Sequence, residues 1–463
     1  MSNEEAVQRI AVLLKACGGR ALLVGGCVRD ELLGLKSKDF DLEVYGLSVK
    51  EIQDALSVEF SLDLVGASFG VLKVHHFDID ISLPRIENKT GAGHKGFDVT
   101  IVPNLSFDDA SARRDFTINA IMRDPLNGEI IDCWGGVNDL KRGIIRHVSS
   151  HFAEDELRVL RCMQFTARLC FKVSPETIAL CHTLHQDELP IERIGCEWEK
   201  LLLKGKKPSL GLRFLNDCGW LRYYPELQAL VGCNQNPHWH PEGDVWEHTL
   251  GVLDAAATMR SGNDDDDLVL MLAALCHDFG KPATTKITDY GKIISHGHDT
   301  AGEAPTLSFI ARLWNRTDLP KRVVPLVRRH MSPSFMVTQN ASAKSYRRLA
   351  LEVNRIDLLA KLAKADIIGV GDLPEPKDVK LARIDEFYRK AQELAIEKKP
   401  PKPLVLGRHL IQFGMTPGSE FKPILDECFE AQLEGVFSDE AAGLDFLRKL
   451  LNNRGTENGK AVY

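Results

Sequence analysis

LLVGGCVRDELLGLKSKDFDLEVYG, Leu22–Gly46, reads as a short apolar strand, a Gly-Gly turn, a helical segment and a second strand carrying two aspartates. In that second strand Asp39, Asp41 and Glu43 alternate with Phe40, Leu42 and Val44. A period of two sets the acids on one face and the apolar side chains on the other. At a rise of roughly 3.4 Å per residue, the Cα atoms of Asp39 and Asp41 lie about 7 Å apart and point the same way. Two carboxylates so placed can share divalent cations. The turn at Gly25 and Gly26 can present backbone N–H groups to a phosphate with no Cβ in the way. Alone, the same pattern also fits a solvated strand face beside an ordinary turn, so the rest of the chain decides.

A chain of 463 residues is too long for one core and implies about three or four modules. Its composition, 44% hydrophobic and 27% charged, is that of a soluble globular protein. No apolar run approaches the roughly 18 residues of a membrane span, and the polar start MSNEEAVQRI lacks the apolar centre of a signal peptide. The 11 cysteines are scattered with no C-x-x-C pair, which argues for reduced thiols in a cytoplasm and against a disulfide framework or zinc ribbon. With a net charge of −7, any nucleic-acid contact must come from local basic clusters.

Along the chain, an amphipathic helix over residues 1–20 precedes the opening stretch. A helix around Val49–Leu56 and strands at Asp63–Gly66 and Val71–Leu83 follow, the latter with Asp78, Asp80 and Ser82 on one face and Arg85 closing it. Glu87–Phe97 is a glycine-rich, basic loop that is either a flap or a connector. Ser111–Asp124 (SARRDFTINAIMRD) is expected to be a helix carrying Arg113, Arg114, Asp115 and Asn119, and Ile131–Leu140 a hinge. From Ile144 the texture is helical. HFAEDELRVLRCMQFTARL would set Asp155 and Arg158 three apart on one helix face, and Ile191–Lys207 is a helix ending in lysines. The Pro/Asn punctuation over Gly232–Pro241 marks a boundary. A helical module to about Gly371, the linker Glu397–Pro403 and a helical tail ending near Leu451 complete the chain. The acidic run Asp264–Asp267 reads as a solvated helix start.

GGCVRD (Gly25–Asp30), DFDLEVYG (Asp39–Gly46), RRDFTINA (Arg113–Ala120), EDELRVLR (Glu154–Arg161) and ERIGCEWEKLL (Glu192–Leu202) occur in this order. Together they resemble the bacterial-type (class II) CCA-adding tRNA nucleotidyltransferases and the related bacterial poly(A) polymerases. The resemblance implies a multidomain α+β chain: a nucleotidyltransferase head of mixed β-sheet with helices (1–145), then an all-α neck (146–232), HD domain (233–375) and tail (376–463). It implies addition of CMP and AMP from CTP and ATP to a tRNA 3′ end. Attack of a 3′-hydroxyl on an α-phosphate needs that hydroxyl deprotonated and the leaving pyrophosphate neutralised. Two divalent ions about 3.5–4 Å apart do both, and oxygen ligands suit Mg²⁺. Asp39 and Asp41 are the expected ligands, with Asp80 as a third carboxylate. Gly25, Gly26 and Arg29 would hold the triphosphate. By the resemblance, Arg114, Asp115 and Asn119 would approach ribose and phosphates, and Arg161 joins the nucleotide-binding set.

Asp155 and Arg158 invite an argument from base chemistry. Cytosine and adenine present an exocyclic amine donor beside a ring-nitrogen acceptor, whereas guanine and uracil present the reverse. A carboxylate beside a guanidinium complements only the first pattern. Sites that leave buried charges unpaired can reject the wrong partner by about 10⁴-fold. The pair therefore predicts selection of CTP and ATP, a use that the family makes of these motif positions. The plainer reading is a surface ion pair.

His248, His277–Asp278 and Asp366 form the H…HD…D pattern of metal-dependent phosphohydrolases. Imidazole with carboxylate suits Mn, Ni, Fe or Mg²⁺. His298 and His330 could complete a second metal position, and Lys281 could meet a phosphate. The set resembles the HD domain attached to many bacterial CCA-adding enzymes, which implies a hydrolase of cyclic phosphodiester, phosphatase or 2′-nucleotidase type, or a structural remnant of one. His238 and His240 read as loop residues. Lys200, Lys204, Lys206, Lys207, Arg347–Arg348 and Lys398–Lys399 suit the phosphates of a tRNA acceptor arm. Open alternatives are a poly(A) polymerase, a CC- or A-adding enzyme, and an HD phosphohydrolase with an RNA-binding head. No membrane contact is expected.

Overall fold

The computed structural model describes residues 1–65, 71–89, 97–187, 189–371 and 375–457, and the chain forms two compact units, Met1–Tyr224 and Pro225–Tyr463. The first unit opens with the helix Asn3–Ala16. Ser2 and Glu5 cap each other's backbone there, and Ala6, Val7, Ile10, Ala11 and Leu14 form the buried stripe. The central sheet runs in the order β3-β4-β5-β2-β1-β8-β9. Its strands are β1 (Arg20–Val24), β2 (Phe40–Tyr45), β3 (Leu62–Val65), β4 (Val71–Val74), β5 (Ile79–Ser82), β8 (Met122–Arg123) and β9 (Ile130–Ile131). A separate ribbon pairs β6 (Arg85–Lys89) with β7 (Phe97–Ile101). Within the central sheet β2 and β5 pair in parallel, with Asp41 opposite Asp80, and the other pairings are antiparallel.

Several expectations need correction. Val71–Leu83 is not one strand. It is a hairpin, because His76 takes φ 68° and the Phe77 N–H turns back to Val74 O. Arg85 opens β6 rather than closing a strand. The centre of the expected flap, residues 90–96, lies outside the described residues. Ser111–Asp124 is not a helix. The helix Phe107–Ala112 stops there because the Asp115 carboxylate accepts the Phe116 N–H (2.8 Å) and the Asn119 side-chain amide (2.9 Å). These local bonds hold Phe116 extended and leave only a 3₁₀ turn over Thr117–Asn119. Ile131–Leu140 contains β9 and the start of a helix, Gly136–Arg142, whose first N–H groups are satisfied by Asp132.

The remainder of this unit is mostly helical, with Leu157–Leu169, Pro175–His182, Ile191–Lys204 and Pro208–Asp217, but the expected all-α neck carries a short strand, Lys172–Val173, paired in parallel with Ile144–Ile145. Trp198, Trp220 and Tyr224 are fully buried, and the Trp198 indole N–H donates to Tyr224 Oη at 2.9 Å. Asp155 sits before the helix Leu157–Leu169 in extended backbone (φ −134°), so it does not share a helix face with Arg158.

The second unit is built on helices Val245–Ala257, Asp264–Cys276, Asp318–Arg329 and Ile356–Gly369. The first and last of these touch at glycines: a Cβ on Gly251 would lie 2.4 Å from Gly369 O. The run Asp264–Asp267 is not simply solvated. Asp267 is buried and accepts the Ser261 and Gly262 N–H groups, while Asp265 and Asp266 pair with Arg316, Arg322 and Arg355. The tail helices enclose a core of Val405, Leu410, Ile424, Cys428 and Leu447, and the last helix continues past Leu451 to Glu457. The 11 cysteines are free thiols, and no helix of the described residues is long and apolar enough to cross a membrane.

Candidate functional site

In the first unit, Asp39 lies exposed at the entry to β2, Asp41 is on β2, and Asp80 stands beside Asp41 in register on β5. Desolvation raises the Asp41 carboxyl above its ordinary value. Arg114 opposes that rise, and the Asp80 and Asp39 carboxylates add to it. Like charges in adjacent register, with Lys73 3.9 Å from Asp80, suit a divalent cation bound through hard oxygen donors. Glu43, further along the strand, is buried instead. It accepts the Tyr45 hydroxyl at 2.9 Å and lies 3.7 Å from Arg114. Gly25 has φ 76°, and a Cβ there would stand 3.4 Å from Arg114 Nη1 and 3.6 Å from Asp41 Oδ2. The glycine turn, Arg114 and the metal-type carboxylate therefore converge on one spot.

Arg29, Asn119, Asp115 and Arg161 form a continuous hydrogen-bonded chain. Buried Arg29 donates to Asn119 Oδ1 at 2.7 Å and to Asp30. Asn119 donates to Asp115, and Arg161 grips the other Asp115 oxygen at 2.8 and 2.7 Å. Burial would raise the Asp115 carboxyl, but Arg161 and Asn119 more than offset it and leave it below the ordinary range. Phe165 lies under the guanidiniums of Arg29, Arg161 and Arg168 at 5.0–5.5 Å.

The expected Asp155–Arg158 ion pair is not made. Asp155 accepts from Arg193 Nη2 at 2.8 Å, while Arg158 donates to the backbone oxygens of His151 (2.6 Å) and Arg113 (2.7 Å). Arg113 itself pairs with Glu154. Reading by helix spacing missed Arg193, although it lies inside the quoted motif ERIGCEWEKLL.

In the second unit the histidine and aspartate set comes together. His248 on Val245–Ala257, His277 at the end of Asp264–Cys276, and Asp366 on Ile356–Gly369 surround Asp278. His248 Nε2 lies 3.1 Å from His277 Nε2, 3.1 Å from Asp366 and 3.6 Å from Asp278 Oδ2. On the other side, His298 Nε2 is 3.5 Å from Asp278 Oδ1 and 3.3 Å from His330 Nε2. The Nδ1 atoms of His277, His298 and His330 sit 2.7–2.8 Å from carbonyls of Ala274, Ser295 and Val327, and His248 Nδ1 sits 2.9 Å from Glu242. With an N–H at each Nδ1, the Nε2 atoms face one another and the carboxylates; against its burial, Asp366 and Glu242 hold the His248 imidazole up at about 9, so either a proton there or a bound cation satisfies the cluster. Burial pushes the His330 imidazole down to about 4, so its lone pair is free at neutral pH. Both oxygens of buried Asp278 lack a well-directed hydrogen bond, although Lys281 Nζ lies 2.6 Å from Oδ2. This donor set fits a divalent metal, and one carboxylate faces both groups of ligands.

The sequence did not flag Glu242, which receives both His248 and His240 at 2.9 Å, or Gln235, which accepts from Lys281 at 2.6 Å. Nor did it flag Gly280, where a Cβ would lie 2.0 Å from His298 O. Gly280→Ala is expected to push the His298 turn away and to destabilise the protein by about 1–3 kcal/mol. Denaturant titration and metal binding by calorimetry would measure both effects.

Not all basic clusters are free. Lys200 pairs with Glu197, Arg347 donates to Leu433 O and Arg348 to Glu430, while Lys204, Lys206, Lys207, Lys398 and Lys399 are exposed.

Residues 21–146 match the poly A polymerase head domain family and residues 245–365 the HD domain family. A multifunctional CCA protein of Pasteurella multocida (strain Pm70) is 40% identical over 311 residues, covering 65% of this chain and 70% of that protein. The fold is shared with the Bacillus stearothermophilus CCA-adding enzyme solved in complex with CTP, at a TM-score of 0.65, 22% identity and 98% of each chain. It is also shared with the Thermotoga maritima CCA-adding enzyme complexed with tRNA, at a TM-score of 0.59, 18% identity, 96% of this chain and 95% of that one.

Proposed function

This chain belongs to the family of multifunctional CCA proteins, the CCA-adding tRNA nucleotidyltransferases, and we propose that residues 1–145 carry the transfer chemistry and 146–232 the base selection. The reaction adds CMP and AMP from CTP and ATP to the tRNA 3′ end. The observation that carries the residue assignment is the parallel register that puts Asp80 beside Asp41 at the Gly25 turn. Mg²⁺ held by Asp39 and Asp41, with Asp80, would supply activation of the attacking 3′-hydroxyl and neutralisation of the leaving pyrophosphate. The Gly25–Gly26 turn and Arg114 bind the triphosphate. Arg29, Asn119, Asp115 and Arg161 hold that turn rigid and fix where ribose and phosphates rest, since their mutual bonds leave little freedom. The 11 free thiols fit a reducing cytoplasm.

Base reading falls to Asp155 and Arg158, with Arg193 orienting Asp155 until a base arrives. Arg158→Ala is then expected to relax discrimination against GTP and UTP by about 10²-fold while CTP incorporation falls less. Single-nucleotide incorporation ratios with the four triphosphates would measure it. The assignment as a whole is tested by supplying purified protein with tRNA lacking its 3′ end and labelled CTP or ATP, separately and together. Stepwise completion of CCA that then stops supports it. Unlimited A-tailing of generic RNA would instead mark a poly(A) polymerase, and arrest after CC or addition of A alone a partial enzyme.

Residues 233–375 form a second active site in this reading, a metal-dependent phosphohydrolase, and residues 376–463 a tail with exposed lysines for RNA. The observation favouring it is the buried Asp278 carboxylate, which faces two histidine groups and has Lys281 as its cationic neighbour at 2.6 Å. His248, His277, Asp278 and Asp366 would hold a divalent Mn, Ni, Fe or Mg ion, with a second at His298 and His330, supplying a nucleophile from water and polarising phosphorus. Lys281, fixed between Gln235 and Asp278, meets the phosphate.

A further inference from the structure

Asp39, Asp41 and Glu43 alternate along β2 and its entry, and of the three only Glu43 is withdrawn from solvent. It is 8% exposed and lies between β1 and β5, opposite Leu22 on one side and Ser82 on the other. A carboxylate in that position is costly unless a donor and a cation answer it. The donor is the Tyr45 hydroxyl, two residues further along the same face and 2.9 Å from Glu43 Oε2. Tyr45 is buried in turn and packs edge-on against Phe107 at 4.9 Å, at the start of the helix Phe107–Ala112 that leads into Arg113 and Arg114. The cation is Arg114, whose Nη2 lies 3.7 Å from the same Glu43 oxygen. Among the described residues Arg114 makes no other ion pair, and Glu43 has no other cation within 4.0 Å.

At 3.7 Å the guanidinium is attracted by Glu43 without being saturated by it, and Arg114 Nε has no hydrogen-bond partner. Its Nη1 reaches toward the Gly25 turn, where the place of a Gly25 Cβ lies 3.4 Å from Nη1 and 3.6 Å from Asp41 Oδ2. Arg114 thus stands between two carboxylates of one strand face, Glu43 and Asp41. The metal needs the Asp41 oxygens, and the triphosphate needs Arg114. We infer that Glu43 is a positioning residue for the transfer reaction, holding Arg114 back from Asp41 with its free N–H groups turned toward the incoming triphosphate. Tyr45 fixes Glu43. Removal of the Glu43 charge leaves Asp41 as the next carboxylate along the strand, so Arg114 closes on the oxygens that the metal requires and withdraws from the phosphates. The inference rests on reading Arg114 as a triphosphate ligand, and it adds the residue that decides where that ligand stands.

Glu43→Gln keeps the volume and removes the charge. In the full-length enzyme, with tRNA lacking its 3′ end as primer, it is expected to raise KM for CTP and ATP by about 5- to 50-fold and to change kcat by less than about threefold. The Mg²⁺ concentration giving half-maximal rate should rise by about two- to tenfold. A merely structural role for Glu43 would lower the active fraction, and hence kcat, while KM and the Mg²⁺ dependence stayed as they are; that result would overturn the inference. Because Glu43 acts through Arg114, E43Q should add less than about twofold to the KM of Arg114→Ala. An undiminished effect of E43Q in the Arg114→Ala background, or an E43Q enzyme with wild-type KM, would overturn the inference and leave Arg114 a triphosphate ligand. Should Arg114→Ala itself leave KM for CTP unchanged, the reading of Arg114 has failed and the inference falls with it. If Glu43→Gln does not fold, Tyr45→Phe takes its place, since it keeps the carboxylate and removes the O–H that fixes it. KM should then rise by about two- to fivefold, and the rise should vanish in the Arg114→Ala background. A wild-type KM in Tyr45→Phe, or a rise that persists without Arg114, would overturn the inference.

Discussion

Asp41→Ala is expected to reduce CMP and AMP incorporation by on the order of 10³-fold or more, because a metal-ligating carboxylate contributes several kcal/mol to the transition state of a two-ion transfer. The substitution also removes a carboxyl that desolvation, and then the Asp80 and Asp39 charges, hold above its ordinary value, so the fold itself should not suffer. Asp41 is on the solvent side of β2 and takes no part in the core formed by Leu42 and Val44. Circular dichroism should therefore be unchanged while primer extension vanishes. Hydrolysis at the second unit should continue. Transfer surviving Asp41→Ala would refute the assignment of the first site.

Asp278→Ala should have the opposite pattern: metal-dependent phosphate ester hydrolysis lost by at least about 10³-fold, nucleotide addition retained. Its two oxygens lie 3.2–3.6 Å from His248, His277 and His298, so one substitution strips ligands from both histidine groups and frees Lys281 from its partner. Removing a buried carboxylate also leaves neighbouring positive charge uncompensated, which costs about 3–5 kcal/mol when a buried pair is broken. Asp278→Asn keeps the volume, and its metal content by calorimetry separates loss of ligand from loss of fold. Hydrolysis at wild-type rate in Asp278→Asn would rule out the metal role.

How far these sites could be read from sequence depended on distance along the chain. The alternation Asp39–Val44 specified a strand over Phe40–Tyr45, although the period failed at Glu43, which is buried beside Tyr45 and Arg114. The pairing of Asp80 with Asp41 did not follow from alternation; it needed a hairpin return that the stretch Val71–Leu83, free of Gly and Pro, did not announce. Asp115 had the same effect in reverse. Its side chain took the Phe116 N–H that a helix would have used and bound the Asn119 side-chain amide, and helical spacing failed over Ser111–Asp124. Charged pairs were the least legible. Asp155 had a guanidinium three residues away and chose Arg193, 38 residues on, since the chain before the helix is extended. The histidine set, by contrast, was legible as a pattern, and the structure added Glu242, Gln235 and Gly280 to it.

The turn His75–Asp78 between β4 and β5 has a consequence for what lengths this chain can tolerate. Side chains on a strand alternate, so parity decides which of Asp80 and Ile81 faces the same side as Asp41. Loss or gain of a single residue in that turn would exchange the two, burying a carboxylate and exposing an isoleucine. A change of two residues would preserve the face. Insertions and deletions across this hairpin are thus constrained to even numbers, a rule of spelling imposed by a pleat.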